Sequence, residues 1–107
     1  MVTLSTLRDW EDDLRAACPP HKRTRVVVKY LPPHDPELEG HRGTCERDKQ
    51  VFTICISSGM SPSETLDVLA HEWAHMRAWV WRGIDDDHGP HWAIEYGRAH
   101  NALHHIR

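Results

Sequence analysis

The 107-residue sequence predicts an α+β fold in a single domain that spans residues 1–107. Three observations predict this class. Apolar residues recur at helical spacing near the N-terminus, an alternating β-branched segment occupies the middle, and a helix-capping signature follows it. We therefore expect one helix, a small sheet of about three strands, and two further helices.

The overall composition is that of a globular domain without a membrane segment. The formal net charge is -3, which gives the chain no general attraction to nucleic acid or anionic membranes. No segment approaches the ~20 apolar residues that span a bilayer, and the first residues lack the pattern of a signal peptide. These features predict a cytoplasmic protein with no membrane partner, and they leave its oligomeric state open.

The cysteines predict no disulfide framework. Cys18, Cys45 and Cys55 are odd in number and contain no Cys-x-x-Cys pair, so a zinc knuckle is not indicated either. Cys45 and Cys55 could face each other across a hairpin. We interpret all three as small, buried thiols, which is the common environment of free cysteine.

The first half of the chain predicts a helix followed by a strand. Residues 5–17 have apolar residues at helical spacing, Ser5 is placed to cap them, and the segment "CPP" at 18–20 ends the helix. Residues 24–31, "TRVVVKYL", are β-branched and aromatic and predict a strand. The proline-rich and acidic segment after it predicts a loop.

A hairpin is predicted next. In residues 50–57, "QVFTICIS", Phe52, Ile54 and Ile56 alternate with smaller residues, so they should share the buried face. The preceding "HRGTCERDK" should supply the partner strand, with a turn around residues 47–49. Gly43 in that partner indicates a bulge or a close approach of backbone to a neighbour.

Two helices should complete the fold. Ser61 and Glu64 form a capping box around Pro62, and this helix should run to about Arg82 and stop at Gly83. A last helix should begin at Pro90. The residues expected to be buried are Leu66, Leu69, Ala70, Trp73 and Val80 on the first of these helices, and Trp92, Tyr96, Ala99, Leu103 and Ile106 on the second.

The pentapeptide "HEWAH" lies within the predicted central helix. His71 and His75 are four residues apart, so they share a helix face about 5–6 Å from each other and can bind one metal ion. Glu72 is rotated about 100° from His71, which places its carboxylate beside such an ion as a general base. This is the arrangement of H-E-x-x-H zinc metallopeptidases.

The pattern can also arise by chance, because the chain has ten histidines. Its position in a capped helix with apolar flanks favours a metal site, since buried polar groups require partners. His100 and His104 share the same spacing, but they have no adjacent carboxylate and lie near the C-terminus, so we interpret them as surface residues.

A catalytic zinc site has three protein ligands and one open position. The extended H-E-x-x-H-x-x-G-x-x-H pattern is absent, because Ala78 and Trp81 occupy its glycine and last histidine positions. The spacing alone leaves the third ligand open among six downstream residues, which are Asp85, Asp86, Asp87, His88, His91 and Glu95.

"HEWAH" followed by "HGPHW" at residues 88–92 resembles the SprT-like zinc metallopeptidases, whose third zinc ligand is the histidine before glycine. The segment "RGTCERDKQVFTICIS" is also similar to that family, and the likeness extends from about Arg42 to Tyr96. The resemblance implies a Zn²⁺ site formed by His71, His75 and His88, with Glu72 as the catalytic base. His91 stands where an acidic residue is often found, so a role for it at the site stays open.

The resemblance also implies a zincin-like architecture, in which a twisted sheet lies beside the metal helix and its edge strand binds extended peptide. Either the strand at 50–57 or its hairpin partner would be that edge. Trp92 and Tyr96 would pack under the metal-binding loop, mainly as core residues. A role for Tyr96 at an oxyanion is the alternative.

We therefore expect a zinc-dependent endopeptidase with a protein or peptide substrate. DNA association is implied by the family but not supported by the charge, and the one basic cluster, "HKRTR" at 21–25, is expected to be a solvated loop. Two alternatives remain. One is a zinc-stabilised binding module without turnover, and the other is a regulatory peptidase that cuts one repressor-like partner and has Glu95 as third ligand.

Overall fold

The described residues of the chain form three α-helices and one small mixed sheet, which confirms the α+β class. The computed structural model describes the backbone of residues 1–82 and 88–105 and the side chains of residues 1–79 and 88–104. The strand order is β1-β3-β2, with β1 parallel and β2 antiparallel to β3. The elements are α1 (Leu4–Ala17), β1 (Arg25–Leu31), a 3₁₀ helix (Pro36–Leu38), β2 (Gly43–Asp48), β3 (Val51–Ser57), α2 (Pro62–Arg82) and α3 (Pro90–His105).

Helix α1 begins one residue earlier than the sequence predicts. Thr3 is the N-cap, and its hydroxyl accepts a hydrogen bond from the backbone N–H of Thr6, so the expectation that Ser5 caps the helix is wrong. Threonine and serine are both favourable N-cap residues, and the earlier cap adds residues to the helix without changing its apolar stripe. That stripe consists of Leu7, Trp10 and Leu14, all buried.

Two arginines of α1 cover the outer edge of β1. Arg8 and Arg15 form ion pairs with Glu11, and they also donate to the carbonyl oxygens of Val28 and Val26 at 2.8 and 2.7 Å. The N–H of Arg25 donates to the carbonyl of Gln50, the residue before β3. By alternation, the carbonyls of Val26 and Val28 therefore point away from β3. Strand β1 is therefore an edge strand, and two of its outward-facing carbonyl oxygens already accept hydrogen bonds from α1.

Strand β3 is the centre of the sheet, and β2 is its second edge. Phe52, Ile54 and Ile56 are buried as the alternation predicts. The turn lies at residues 49–50, slightly later than expected, and β2 is the partner strand. Of the two segments considered for a peptide-binding edge, the segment 50–57 is interior and β2 has the free edge.

None of the three cysteines forms a disulfide bond. Cys18 and Cys55 are buried and Cys45 is partly buried, close to the expectation of small core residues. Cys55 pairs with Thr44 and Cys45 with Ile54 across the hairpin, so the two thiols lie on opposite faces of the sheet. The suggestion that Cys45 and Cys55 face each other is wrong.

Helix α2 runs through the core and begins with the predicted capping box. The Ser61 hydroxyl accepts from the backbone N–H of Glu64, and the Glu64 carboxylate accepts from the N–H of Ser61. Trp73 is fully buried, and its indole N–H donates to the carbonyl of Cys18 at 2.9 Å. Of the residues predicted to be buried on the two long helices, six are so: Leu66, Leu69, Ala70, Trp73, Ala99 and Leu103.

Trp92 and Tyr96 of α3 are only partly buried. Three further expectations fall outside the described residues. They are the end of α2 at Gly83, the burial of the Val80 side chain and the burial of Ile106. In the described part of the chain, no helix is both long and apolar enough to cross a bilayer.

Candidate metal centre

Helix α2 presents His71, Glu72 and His75 near its middle. One helical turn separates the two histidines, and their ring centroids lie 5.0 Å apart. His75 and Glu72 are each only 8% exposed, and His71 is partly buried. The local spacing predicted from the sequence is therefore present, and the three side chains occupy a largely desolvated region.

His88 completes the cluster from the segment that precedes α3. Its Nε2 lies 2.9 Å from Nε2 of His71 and 3.1 Å from Nε2 of His75. The backbone of His88 has φ 74°, in the left-handed region that non-glycine residues seldom adopt. This turn directs the exposed imidazole back onto α2, whereas an extended backbone would carry the ring elsewhere.

The three nitrogens fit a single metal ion. Among the described residues, these three histidines are the group whose potential metal-ligand atoms all lie within 4.8 Å of one another. Zinc–nitrogen bonds of 2.0–2.1 Å in a tetrahedral site correspond to nitrogen–nitrogen separations of about 3.3 Å. Imidazole nitrogens 2.9–3.1 Å apart either share a proton or share a cation, and three converging rings suit a cation.

Electrostatics favour the metal-binding form of His71. Burial lowers the pKa of His71 below its ordinary value of 6.5, and the neighbouring His75 and His88 lower it further, while Asp67 opposes the shift. Desolvation penalises the charged imidazolium. His71 is thus a neutral imidazole at neutral pH, and this is the form that binds a metal ion.

The remaining candidates for the third ligand do not join the cluster where the structure describes them. Glu95 is 6% exposed and forms ion pairs with Arg77 at 3.3 Å and with Arg98 at 3.4 Å. His91, in the first turn of α3, is not one of the grouped ligands. Asp85, Asp86 and Asp87 lie outside the described residues.

Two aromatic residues of α3 support His71. The indole N–H of Trp92 donates to the backbone carbonyl of His71 at 3.2 Å, and the Trp92 ring lies 4.6 Å from that of His88. Tyr96 stacks on Trp92, with centroids 4.9 Å apart and planes within 10°. The phenol of Tyr96 donates to Asp67, which raises the Tyr96 pKa to about 12.

Asp67 is a residue that the sequence-based prediction missed. It lies four residues before His71, on the same helix face, and this spacing was the available signal. Its carboxylate fixes the hydroxyl of Tyr96, so the expected core role of Tyr96 becomes one of supporting the histidine cluster. No bond from Tyr96 to the cluster itself is formed.

Gly43 brings the free edge of the sheet against Glu72. A Cβ added at Gly43 would lie 2.5 Å from Cγ1 of Val68 and 3.1 Å from Cγ of Glu72. The close approach predicted for this glycine is therefore present. Consequently β2 lies beside the part of α2 that carries the candidate base.

Comparisons with known proteins add no relative. No protein-family model matches the sequence, no curated protein is similar to it, and no solved structure matches its fold. The assignment of function therefore depends on the geometry of the three histidines, Glu72 and β2.

Proposed function

We propose that this chain is a zinc-dependent endopeptidase of the SprT-like, zincin-like type. The observation that carries the proposal is the convergence of His71, His75 and His88, with Nε2 separations of 2.9 and 3.1 Å, on a helix that also carries the buried Glu72. Within the described residues no fourth side chain joins this group, which suits a catalytic site because such a site keeps one position for water or substrate.

The three imidazoles would hold the ion, and Glu72 would move the proton. When bound, zinc lowers the pKa of a coordinated water and polarises a carbonyl. A carboxylate oxygen of Glu72 accepts the proton of the attacking water and then delivers it to the nitrogen of the departing amine. The surroundings of Glu72, which is 8% exposed, limit competing contact with bulk solvent.

The substrate in this proposal is an extended protein segment. The carbonyl of Arg42 bonds to β3, so by alternation the backbone groups of Gly43, Cys45 and Arg47 point away from the sheet. They pair with no further strand in the described chain. A peptide added along this edge would pass Glu72 at Gly43. Association with DNA gains no support from the net charge of -3.

The test combines zinc content with peptide cleavage. We expect the purified protein to contain one zinc per chain and to digest an unfolded protein such as casein. Glu72→Gln should keep the zinc but lower the cleavage rate at least about 100-fold, because the general base is lost. Glu64→Gln is the matched control, since glutamine also satisfies a capping box and activity should be retained.

The same experiment separates the alternatives. Equal cleavage by the original protein and Glu72→Gln would exclude Glu72 as the base. Bound zinc without cleavage of any protein substrate would instead favour the binding module. A regulatory peptidase with Glu95 as ligand predicts zinc loss in Glu95→Gln, whereas the ion pair with Arg77 predicts retained zinc.

A further inference from the structure

A cavity of about 190 Å³ lies at the hairpin end of β2. It is an open concavity lined by the loop before β1, the β2–β3 hairpin and Trp79 of α2. Its lining is dominated by basic and aromatic side chains, namely His21, Arg23, Arg47, Lys49, Phe52 and Trp79. The cluster at residues 21–25, expected to be a solvated loop, thus contributes to a concave surface that we call the basic pocket.

Three cations of the basic pocket form no ion pair within the part of the chain that the structure describes. Elsewhere in the described chain, several basic side chains neutralise glutamates, as Arg8, Lys29, Arg42 and Arg98 do. Arg23, Arg47 and Lys49 make no ion pair with a carboxylate of the described residues. Three such charges around one cavity repel each other and favour an anionic ligand.

Arg47 is held in position by its neighbours. Its Nε donates to the carbonyl of Lys49 at 2.7 Å, and its guanidinium lies 5.6 Å from the ring of Trp79. Phe52 supports Trp79 edge-on, with centroids 6.1 Å apart. The terminal nitrogens of Arg47 form no hydrogen bond within the described residues. A fixed guanidinium loses little entropy when it binds a carboxylate.

The basic pocket adjoins the metal centre. Trp79 follows His75 by one helical turn, about 6 Å along the axis of α2. Arg47 belongs to the free edge of β2, the strand that also contains Gly43. A peptide extended along β2 would therefore pass from Glu72 at one end of the strand to the basic pocket at the other.

We propose that the basic pocket binds an acidic segment of a protein partner through its Asp or Glu carboxylates. The path along β2 rests on the proposed function, whereas the charge recognition stands on the pocket itself. A peptide suits this surface better than nucleic acid, because the pocket groups three cations in one short cluster and the net charge of the chain is -3, whereas a phosphate backbone is bound by positive charge along a longer surface.

Peptide binding to the Glu72→Gln protein tests the proposal without cleavage. Fluorescence anisotropy would compare labelled Val/Thr peptides carrying Glu-Asp-Glu at either end with peptides carrying Gln-Asn-Gln. We expect tighter binding of an acidic peptide and a loss of about fivefold to tenfold in Arg23→Gln/Lys49→Gln. Lys22→Gln/Arg25→Gln removes the same charge from exposed residues outside the pocket and should change affinity little.

Three outcomes would overturn the proposal: equal binding of acidic and amide peptides, equal weakening by the two double variants, or pocket-dependent binding of oligothymidylate tighter than that of the acidic peptides. The last would assign the pocket to phosphates. Because binding is measured without turnover, acidic-peptide binding by a protein that cleaves nothing would leave the basic pocket intact and contradict only the peptidase.

Discussion

At the residue scale, the metal centre depends on the backbone of His88 and the environment of His71. The left-handed φ of 74° at His88 directs its ring onto α2, in a conformation that costs a non-glycine residue free energy. Burial keeps His71 neutral, and Trp92 bonds its backbone carbonyl. The spacing of His71 and His75 in the sequence is enough to identify them as candidate metal ligands. The approach of His88 to these two residues depends on a turn, which the spacing does not determine.

Tyr96 gives a pH-dependent prediction at this scale. Its hydrogen bond to Asp67 raises its pKa to about 12, above the ordinary 10, because ionisation would remove the donated hydrogen; burial and the negative charge of Asp67 add to the shift. The folded protein then keeps a proton that the unfolded chain loses near pH 10. The stability from this pair is thus complete below pH 10 and is lost as pH rises toward 12.

Ultraviolet absorbance titration in a Tyr30→Phe background would isolate Tyr96, since these are the two tyrosines of the chain. Asp67→Asn should move the midpoint down toward 10, because it removes the charged acceptor. If Tyr96 titrates with the same midpoint in the Asp67→Asn protein as in the protein that keeps Asp67, the hydrogen bond is contradicted.

At the element scale, the contact between β2 and α2 determines whether the free edge reaches Glu72. Val68 and Glu72 occupy the space that a side chain at Gly43 would need. Gly97 in α3 provides the contrast, because apart from its chain neighbours and its own helix backbone no atom lies within 4 Å of a Cβ added there. The same substitution should therefore have opposite effects on stability at these two glycines.

We expect Gly43→Ala to lower the free energy of unfolding by about 1–3 kcal/mol through overpacking. Gly97→Ala should raise it by about 0.5–1 kcal/mol, since alanine is the better helix former. Urea denaturation measures both. Val68→Ala combined with Gly43→Ala should recover part of the loss, and equal effects of the two single substitutions would exclude the close approach.

Local patterns account for most elements, whereas long-range pairing accounts for the differences. Alternation in β3 and the capping box of α2 are local, so the sequence predicts both. The interior position of β3 depends on the parallel pairing of β1, which no segment encodes by itself. Glu95 is buried because Arg77 of another helix neutralises it, and apolar periodicity gives no sign of such a pair.

At the scale of the whole molecule, the metal centre joins two parts of the chain. His71 and His75 belong to α2, which packs on the sheet, and His88 precedes α3, which packs against α2. A ligand that binds only this folded arrangement stabilises it by mass action. Zinc should therefore increase the stability of the entire domain and not only order the residues around the site.

Thermal unfolding with and without zinc provides the last prediction. At free zinc about 1,000-fold above its dissociation constant, the free energy of unfolding should rise by about 4 kcal/mol. For a domain of this size the midpoint should rise by roughly 15–30 °C, and EDTA should reverse the increase. His88→Asn should abolish most of the increase, because asparagine tolerates a positive φ but removes an imidazole ligand.

His100→Asn is the matched control, since His100 lies on α3 beside His104, with ring centroids 4.1 Å apart. It should retain the full zinc-dependent increase. A normal increase in His88→Asn together with a reduced one in His100→Asn would move the binding site to the C-terminal pair. The three-histidine centre would then be excluded, because stabilisation by zinc depends on the ligands that the folded chain brings together.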